Sequence, residues 1–206
     1  VAKVFPSRFV LKVKRNSDGT LERRKARLVL LGNLQRPFVD FYDTYAPVAD
    51  FVVVRIVLAT ACSKHWIVHQ LDVKSAFLNG YIDEEIYMQL PPEYARADGK
   101  VCKLKRSIYG LRQAPRAWNK RLCEDLKGSG FKALVNAESV FYGVITGSVV
   151  YLIIYVDDIL VASSSETAVL TAKKSLRELC NIKDLGDAEY FLGVKSERER
   201  NCLKLS

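Results

Sequence analysis

The sequence predicts an α+β fold in which one antiparallel sheet is backed by helices. Two apolar runs within residues 149–162 are separated only by Asp157 and Asp158, as expected of paired strands. Residues 50–63 and 115–127 have the apolar patterns of helices, the first apolar nearly all round and the second along one stripe. The succession of strands and helices is that of an α+β sandwich.

Turn and cap signals place the elements of the first half. They predict strands at 8–14 and 21–31 around Asp18-Gly19, a loop at 32–48, a helix at 50–63 capped by Asp50, a core strand at 66–73 that ends at Asp72, and a loop from Pro91-Pro92 to Gly99. The helix at 50–63 is expected to be buried because it is apolar on nearly all sides.

Similar signals place the elements of the second half. They predict a helix from Pro115 to Lys127 stopped by Gly128, a helix opened by a Ser163/Glu166 capping box and running to about Leu179, and a last hairpin within 190–205 around residues 197–201. The side chains expected to face inward are Ala114, Trp118, Leu122 and Leu126 on the first helix, and Val169, Ala172, Leu176 and Leu179 on the second.

Length and composition set outer bounds on the molecule. The chain has 206 residues, 49% hydrophobic and 27% charged, as is ordinary for a globular domain. It contains no apolar run long enough for a membrane span and no signal peptide, and it lacks an initiator Met, so we expect a segment of a longer polyprotein. The five cysteines are never spaced as in zinc sites, and we expect a reducing, intracellular setting.

Basic charge is gathered in two blocks. The net charge is +9, and residues 1–28 carry nine Lys or Arg against two acids, while residues 100–132 carry ten against two. The rest of the chain is therefore acidic overall. This distribution indicates two surfaces that flank a polyanion around an acidic part that holds cations. The alternative is that these cations only solubilise the surface.

The carboxyl groups of Asp157 and Asp158 stand out chemically. They interrupt a stretch that is apolar on both strand faces. Burying an ionised carboxylate without a partner is costly, and two adjacent ones repel each other. A third acid, Asp72, ends another apolar strand. In a mixed sheet these strand ends can be neighbours, and oxygen ligands of this kind suit two Mg²⁺ ions, with Mn²⁺ as an alternative. The competing interpretation is a turn with two solvated acids.

Several motifs resemble those of one family. Tyr155-Val156-Asp157-Asp158 resembles the YxDD box of reverse transcriptases. Further words, in family order, resemble copia-type retrotransposon polymerases in particular: Lys25-Ala-Arg-Leu-Val29, Tyr45-Ala-Pro-Val48, Leu71-Asp-Val-Lys-Ser-Ala-Phe-Leu-Asn-Gly80, Glu84-Glu-Ile-Tyr-Met88, Ser107-Ile-Tyr-Gly-Leu-Arg-Gln-Ala-Pro-Arg-Ala-Trp118 and Phe191-Leu-Gly193. Leu31 departs from the pattern, because copia-type sequences often carry Lys there.

The resemblance implies a fold and an activity. It implies a single reverse transcriptase domain fragment with the fingers and palm of a right-hand polymerase: fingers at about 1–65 and 79–118, and palm at about 66–78 and 119–206. The helical thumb is expected to be absent or truncated. The implied activity is that of a nucleotidyltransferase, an RNA-directed DNA polymerase that extends a primer by a two-metal mechanism.

The resemblance also implies roles for individual residues. Asp72, Asp157 and Asp158 are the implied metal ligands and catalytic residues. Phe77, five residues after Asp72, is implied to exclude a ribose 2′-hydroxyl; the alternative is an ordinary core Phe. Gln113 matches a residue that contacts the incoming nucleotide, although a Gln before a helix-opening Pro is also a common loop residue.

The remaining implied positions concern the triphosphate and the primer. Lys25 and Arg27 point to one face of a strand and could clamp a triphosphate, or form a solvated face. Tyr155 is implied to lie at the nucleotide, and Lys183 lies near the implied general acid for pyrophosphate. Phe191, Leu192 and Gly193 resemble the hairpin that supports the primer end.

Three functional classes follow from these observations. The leading one is the polymerase. Its partners would be an RNA or DNA template with primer, deoxynucleoside triphosphates, and the thumb, ribonuclease H and integrase of the polyprotein. No membrane partner is expected. Its setting would be intracellular, in cytoplasmic particles or the nucleus. The second is a decayed or repurposed element that binds nucleic acid without catalysis. The third is a small RNA-binding sheet, which would expose stacking aromatics instead of an acidic pair.

Overall fold

The chain divides into two compact units. The computed structural model describes residues 3–16, 18–94, 99–188, 190–191, 194–199 and 202–205. One unit contains Val1–Ala46 and Phe77–Arg121, and the other contains Pro47–Ala76 and Leu122–Ser206. The second unit includes the helix at 51–63, whereas the fingers of the resemblance extend to about residue 65. The assignment of fingers and palm stays a prediction.

The described residues form fourteen strands and three α-helices, with short 3-10 turns at Gly32–Leu34, Ala76–Asn79 and Pro92–Tyr94. The strands are β1 (Val4–Phe5), β2 (Ser7–Arg15), β3 (Leu21–Leu30), β4 (Ile67–Val73), β5 (Tyr87–Met88), β6 (Cys102–Lys103), β7 (Lys132–Leu134), β8 (Ala137–Ile145), β9 (Ser148–Tyr155), β10 (Asp158–Ser163), β11 (Ile182–Asp187), β12 (Tyr190–Phe191), β13 (Val194–Glu199) and β14 (Cys202–Leu205). The helices are α1 (Phe51–Ser63), α2 (Ala114–Gly128) and α3 (Glu166–Leu179).

The first unit contains a long antiparallel ribbon, β2–β3, at the hairpin that the sequence predicts. Because side chains alternate along a strand and cross-strand partners share a face, the register separates two kinds of side chain. One face carries Arg8, Lys12 and Lys14 of β2 and Arg23, Lys25 and Arg27 of β3, with Val10 and Val29 among them. The other carries Phe9, Leu11, Val13, Ala26 and Leu28, with Arg24 opposite Val13. The ribbon is therefore mainly basic on one face and mainly apolar on the other.

A small sheet and an apolar cluster hold the rest of the first unit together. Strand β5 pairs with β1 in parallel and with β6 in antiparallel fashion. Phe5 and Met88 of these strands are buried with Leu30, Ile108 and Leu111. This cluster joins the end of the ribbon to the loop that precedes α2.

The second unit is built on a six-stranded antiparallel sheet in the order β11-β4-β10-β9-β8-β7. The predicted strands at 66–73 and 149–162 form its centre, which confirms the α+β prediction of an antiparallel sheet with helices. Strands β7, β8 and β11 of this sheet were not predicted from the sequence. Helix α1 packs against one face, with Val54 and Leu58 among Ile153 and Leu160.

Helix α1 confirms one prediction and corrects another. Asp50 caps it, because its side chain accepts a hydrogen bond from the backbone N–H of Val52. The helix is not buried on all sides, however: Val52 and Ile56 are 60% and 59% exposed. Only the face with Val54 and Leu58 contacts the sheet, so an all-round apolar sequence does not imply all-round burial here.

Helix α2 begins and ends close to the predicted positions. Ala114, Trp118, Leu122 and Leu126 are all buried, as the one-sided stripe predicts. The helix continues through Gly128, and the left-handed residue that follows it is Gly130, with φ of 88°. The division between the two units falls within this helix, after Arg121.

Helix α3 has a different N-cap from the predicted one. Ser163 is the last residue of β10, and its hydroxyl donates to the carbonyl of Val149. The cap is Ser165, whose Oγ accepts from the backbone N–H of Ala168. The prediction placed the cap two residues early because three consecutive serines, Ser163, Ser164 and Ser165, precede the helix. Three of the four predicted inward positions, Val169, Ala172 and Leu176, are buried, and Leu179 is partly exposed.

A buried ion pair joins α3 to the edge strand β11. Lys173 is only 3% exposed, and its Nζ donates to Asp184 Oδ1 over 2.8 Å. Arg177 and the backbone N–H of Gly186 also donate to this carboxylate. Burial alone would raise the pKa of Asp184, but these hydrogen bonds and charges lower it below its ordinary value. Its ionised form therefore stabilises the fold above the unfolded pKa, and this stabilisation is lost as the pH falls through the folded pKa.

The tail contains the predicted last hairpin. Strands β13 and β14 pair in antiparallel fashion, and β12 pairs with β13. Among the described helices, none is long and apolar enough to cross a membrane.

We expect the two partners of the buried ion pair to differ in their effect on stability. Asp184→Asn leaves the Lys173 ammonium buried without its charge partner and should cost about 3–5 kcal/mol of unfolding free energy. Lys173→Met removes the buried charge itself and leaves Asp184 with Arg177, so its cost should be on the order of 1 kcal/mol. Urea unfolding of both variants measures the difference. Equal losses of unfolding free energy in the two variants would show that the buried ammonium of Lys173 is not stabilised by the charge of Asp184.

Candidate active site

Strand pairing places two of the predicted carboxylates opposite each other. Asp158, the first residue of β10, is the cross-strand partner of Asp72 on β4. Because partners share a face, both carboxylates lie on the sheet face that carries Leu160 and contacts α1. The prediction that the two strand ends are neighbours is confirmed. Their roles in catalysis stay predictions.

The third acid lies in the turn between β9 and β10. Tyr155 pairs with Asp158, which leaves a two-residue turn of Val156 and Asp157. Val156 has φ of 55°, a left-handed conformation that is costly for a β-branched residue. The Asp157 carbonyl accepts a hydrogen bond from the Val73 N–H over 2.7 Å. The turn is thus tied to the end of β4, and Asp157 is exposed next to the other two acids.

The acids of this site have no direct ion pair among the described residues. Burial raises the pKa of Asp158 above its ordinary value, and the charges of Asp157 and Asp72 raise it further. The Nε2 of Gln70 opposes this rise by donating to Asp158 Oδ1 over 3.0 Å. Among the described residues, no Lys or Arg forms an ion pair with any of the three acids. The site therefore favours a bound cation.

The donor set fits a hard divalent cation. Carboxylate oxygens are the ligands that Mg²⁺ prefers, and Asp72, Asp157 and Asp158 supply three such groups from two paired strand ends. Across the part of the chain that the structure describes, no group of three or more Cys, His, Asp or Glu side chains is already gathered closely enough to hold a metal ion. The three acids therefore fit a divalent cation in the chemistry of their oxygen ligands and in the pairing of their strands.

Lys183 lies beside these acids. It is the partner of Asp72 in the pairing of β11 with β4, on the side opposite β10. Asp72 is therefore flanked by Asp158 on one side and Lys183 on the other. Lys183 is exposed, while the next residue, Asp184, is held by α3 on the other face of the sheet. The structure thus brings the predicted proton donor together with the acids of the second unit.

In the first unit, Tyr109 joins two of the predicted nucleotide-binding residues. The guanidinium carbon of Arg27 lies 5.2 Å from the centre of the Tyr109 ring. Phe77 meets the same ring edge-on, with centroids 5.3 Å apart and an interplanar angle of 67°. Lys25 lies on the same face of β3 as Arg27, as its spacing predicts. Phe77 is partly buried against the core cluster of this unit.

Gln113 is engaged with protein groups. It is 3% exposed; its Oε1 accepts from Gln35 over 3.1 Å, and its Nε2 donates to Glu84 over 3.3 Å. It lines an open pocket of about 520 Å³ in the first unit together with Glu84 and Asp40. This network fixes the amide of Gln113, and its contact with a nucleotide stays a prediction.

The remaining predicted residues lie in the second unit. Tyr155 is half-buried against the core cluster at the end of β9, and Phe191 is 4% exposed in the same cluster. Leu192 and Gly193 lie outside the described residues. The role of this segment at a primer end stays a prediction.

The two basic blocks differ in how their charges are used. In the second block, Arg116 pairs with Asp43 over 2.8 Å and Arg112 donates to the carbonyl of Gly32. Arg106 and Arg121 lie over the Tyr81 ring. By contrast, Arg8, Lys12 and Lys14 line up on the basic face of the ribbon. The ribbon is therefore the stronger candidate for phosphate contacts.

Two residues at these sites were not singled out from the sequence. Gln70 lies between His69 and Leu71 in β4, and its spacing of two from Asp72 is the signal that they share a face. Tyr109 lies within one of the family motifs, but its residue type alone does not indicate a function. Only the strand register and the loop geometry reveal their contacts.

The structure brings two acids together at paired strand ends of an antiparallel sheet, and comparison with known sequences gives the class of protein. The chain belongs to the reverse transcriptase (RNA-dependent DNA polymerase) family, whose model matches residues 2–206. The predicted resemblance to copia-type retrotransposon polymerases is confirmed by its relatives.

These relatives are much longer proteins. The Retrovirus-related Pol polyprotein from transposon RE1 of Arabidopsis thaliana is 40% identical over 97% of this chain and 14% of its own length. The corresponding polyprotein from transposon TNT 1-94 of Nicotiana tabacum is 37% identical over 96% of this chain and 15% of its own length. A truncated Ty1-A Gag-Pol polyprotein of Saccharomyces cerevisiae is 32% identical over 96% of this chain and 16% of its own length. The chain thus spans a small part of the polyproteins it resembles.

We expect Asp158→Asn to stabilise the metal-free protein at neutral pH. A folded pKa raised above the ordinary value of 3.8 means that ionised Asp158 costs stability once the pH exceeds that range. Asn keeps the acceptor for Gln70 and removes the charge. Urea unfolding in a chelating buffer should show a more stable variant at pH 7, and the difference should vanish as the pH falls below about 3.8. A variant less stable than the wild type at pH 7 would contradict this view of the site.

Proposed function

We propose that this chain is the polymerase core of a copia-type retrotransposon polyprotein, which adds deoxynucleotides to a primer on an RNA template. The single observation that carries the proposal is the register of Asp72 with Asp158, with Asp157 in the adjoining turn. In the terms of a right-hand polymerase, the second unit would provide the palm and the first unit most of the fingers. Family membership supports the reaction class.

The three acids would hold two Mg²⁺ ions. When bound, the metals would activate the primer 3′-hydroxyl and neutralise charge on the leaving pyrophosphate. Gln70 keeps the carboxylate of Asp158 oriented through its 3.0 Å hydrogen bond. Lys183, next to Asp72, would deliver a proton from its Nζ to the pyrophosphate. Asp72, Asp158, Gln70 and Lys183 lie on strands of the sheet and Asp157 lies in the turn that joins two of them, which favours a fixed geometry.

The incoming nucleotide would be bound by residues of the first unit. Arg27 offers a bidentate fork to the triphosphate, and Lys25 offers a second positive charge on the same face of β3. Phe77 would lie against the sugar and exclude a 2′-hydroxyl. The contact of both Arg27 and Phe77 with Tyr109 supports a shared site, because these residues are distant in sequence.

The basic face of the ribbon would contact template phosphates. Six cations on one face of β2 and β3, interrupted by Val10 and Val29, match a polyanion that runs along the ribbon. The same face supports a second candidate function, binding of nucleic acid without catalysis by a decayed element. The two candidates differ in whether nucleic-acid binding is accompanied by metal-dependent nucleotide addition.

Asp157→Asn should abolish nucleotide addition while the protein keeps its fold and its affinity for primer-template. The substitution removes a metal ligand of nearly the same size from an exposed turn. The measurement is primer extension on an RNA template with Mg²⁺, using a polymerase that contains the whole chain. The matched control is Glu178→Gln, which removes an exposed carboxylate of the same unit and should extend at the normal rate. Normal extension by Asp157→Asn would refute the polymerase proposal.

The salt dependence of binding tests the ribbon. Replacing Arg8, Lys12 and Lys14 with Gln should lower the slope of log affinity against log salt by up to about 0.9 per lost phosphate contact on a duplex. The control replaces Arg55, Lys64 and Lys174, exposed residues of the second unit that lie outside both basic blocks, with Gln and removes the same charge. Equal slopes for both triple variants would mean that net charge alone, and not the ribbon face, governs binding.

A further inference from the structure

A single aromatic ring connects the two nucleotide contacts proposed for the first unit. Tyr109 has the Arg27 guanidinium against its ring at 5.2 Å and the edge-to-face contact with Phe77 at 5.3 Å. Arg27 belongs to β3, while Phe77 belongs to the 3-10 turn at Ala76–Asn79. The ring thus lies between a cation that would bind phosphate and an aromatic that would exclude a hydroxyl.

The backbone around Tyr109 is held in place on both sides. The N–H of Leu30, at the end of β3, donates to the Tyr109 carbonyl over 2.9 Å. Gly110 follows with φ of 95°, and a Cβ at this position would lie 2.0 Å from the carbonyl oxygen of Leu30. Only glycine permits this approach. On the other side, the hydroxyl of Ser107 donates to the carbonyl of Phe77. The segment 107–110 is therefore fixed to both β3 and the turn of Phe77.

The orientation of Arg27 depends on this ring. Its Nε is buried and, among the described residues, makes no hydrogen bond with the protein. No carboxylate forms a salt bridge with Arg27 in the part of the chain that the structure describes. The face of Tyr109 is consequently the contact that holds the guanidinium plane.

We propose that Tyr109 is a positioning residue that sets sugar selectivity and triphosphate affinity together. The inference rests on the roles proposed above for Phe77 and Arg27. Because both pack on one ring, a change in the position of that ring alters both contacts. A change at Arg27 should likewise reach Phe77, although Arg27 would contact only phosphate. This coupling distinguishes the proposal from two independent contacts.

The test measures the ratio of deoxynucleotide to ribonucleotide incorporation, together with KM and kcat for the deoxynucleotide, in a polymerase that contains the whole chain. The ratio compares two substrates on the same enzyme, so it does not depend on how much protein is folded. Tyr109→Leu removes the aromatic face and should lower the ratio and raise KM, each about 3- to 10-fold, with less change in kcat. Tyr109→Phe keeps the ring and should behave as the wild type.

Two further variants make the result decisive. Arg27→Gln should lower the ratio of deoxynucleotide to ribonucleotide incorporation as well as the triphosphate affinity. This variant also tests the coupling if Tyr109→Leu does not fold. Met88→Ala removes a buried side chain from the same core cluster and should lower stability without changing the ratio. If Tyr109 had only a structural role, Tyr109→Leu would behave like Met88→Ala: it would lower stability and leave the ratio of deoxynucleotide to ribonucleotide incorporation unchanged.

The outcomes separate this inference from the function on which it rests. If Phe77→Val lowers the ratio and neither Tyr109→Leu nor Arg27→Gln does so, Phe77 acts alone and the coupling is refuted. If Phe77→Val leaves the ratio unchanged, the proposed role of Phe77 fails and the inference falls with it. Polymerase activity itself is judged separately through the Asp157→Asn comparison.

Discussion

Antiparallel pairing of β10 with β4 on one side and β9 on the other determines where the charged groups of the second unit lie. The side-chain period of a strand is two, so a slip of one residue would turn Asp158 to the face that α3 covers. The apolar pattern of β10 does not by itself exclude such a slip, because Ile159, Leu160 and Val161 are buried on both faces. The two-residue turn that pairs Tyr155 with Asp158 fixes the register of β10 with β9 and so helps to place the acids together.

The two faces of this sheet treat buried charge in opposite ways. On the α3 side, Asp184 has three donors, and its charge stabilises the fold. On the α1 side, Asp158 has one neutral donor and two acidic neighbours, and its charge is a cost. Unfavourable electrostatics of this kind are typical of sites in which a bound ligand compensates the charge of the protein groups. The strained backbone of Val156 lies in the same turn and adds to the local cost.

The sequence was sufficient for features with a local physical signature. An apolar run that stops at an acid, a turn pair such as Asp18-Gly19 and a capping Asp50 each gave the correct element. Other features depend on contacts distant in sequence. Lys173 looks like any solvated helix residue until β11 brings Asp184 beside it, and the exposure of Val52 depends on how far the sheet extends under α1. For the same reason, the acids were predicted from the sequence, whereas Gln70 and Tyr109 required the strand register and the loop geometry.

The two-faced ribbon also affects the kinetics of hydrogen exchange. Among the described residues, β2 and β3 pair only with each other, and a two-stranded ribbon obtains little stability from its own hydrogen bonds. Leu11 is 77% exposed and Val13 is 52% exposed, so the apolar face contributes little burial. We therefore expect the backbone amides of β2 and β3 to open in local fluctuations that leave the six-stranded sheet intact, and to exchange with solvent sooner than those of β9 and β10. A ligand on the ribbon must supply the free energy that orders it, and it would be detected first as slower exchange at these amides.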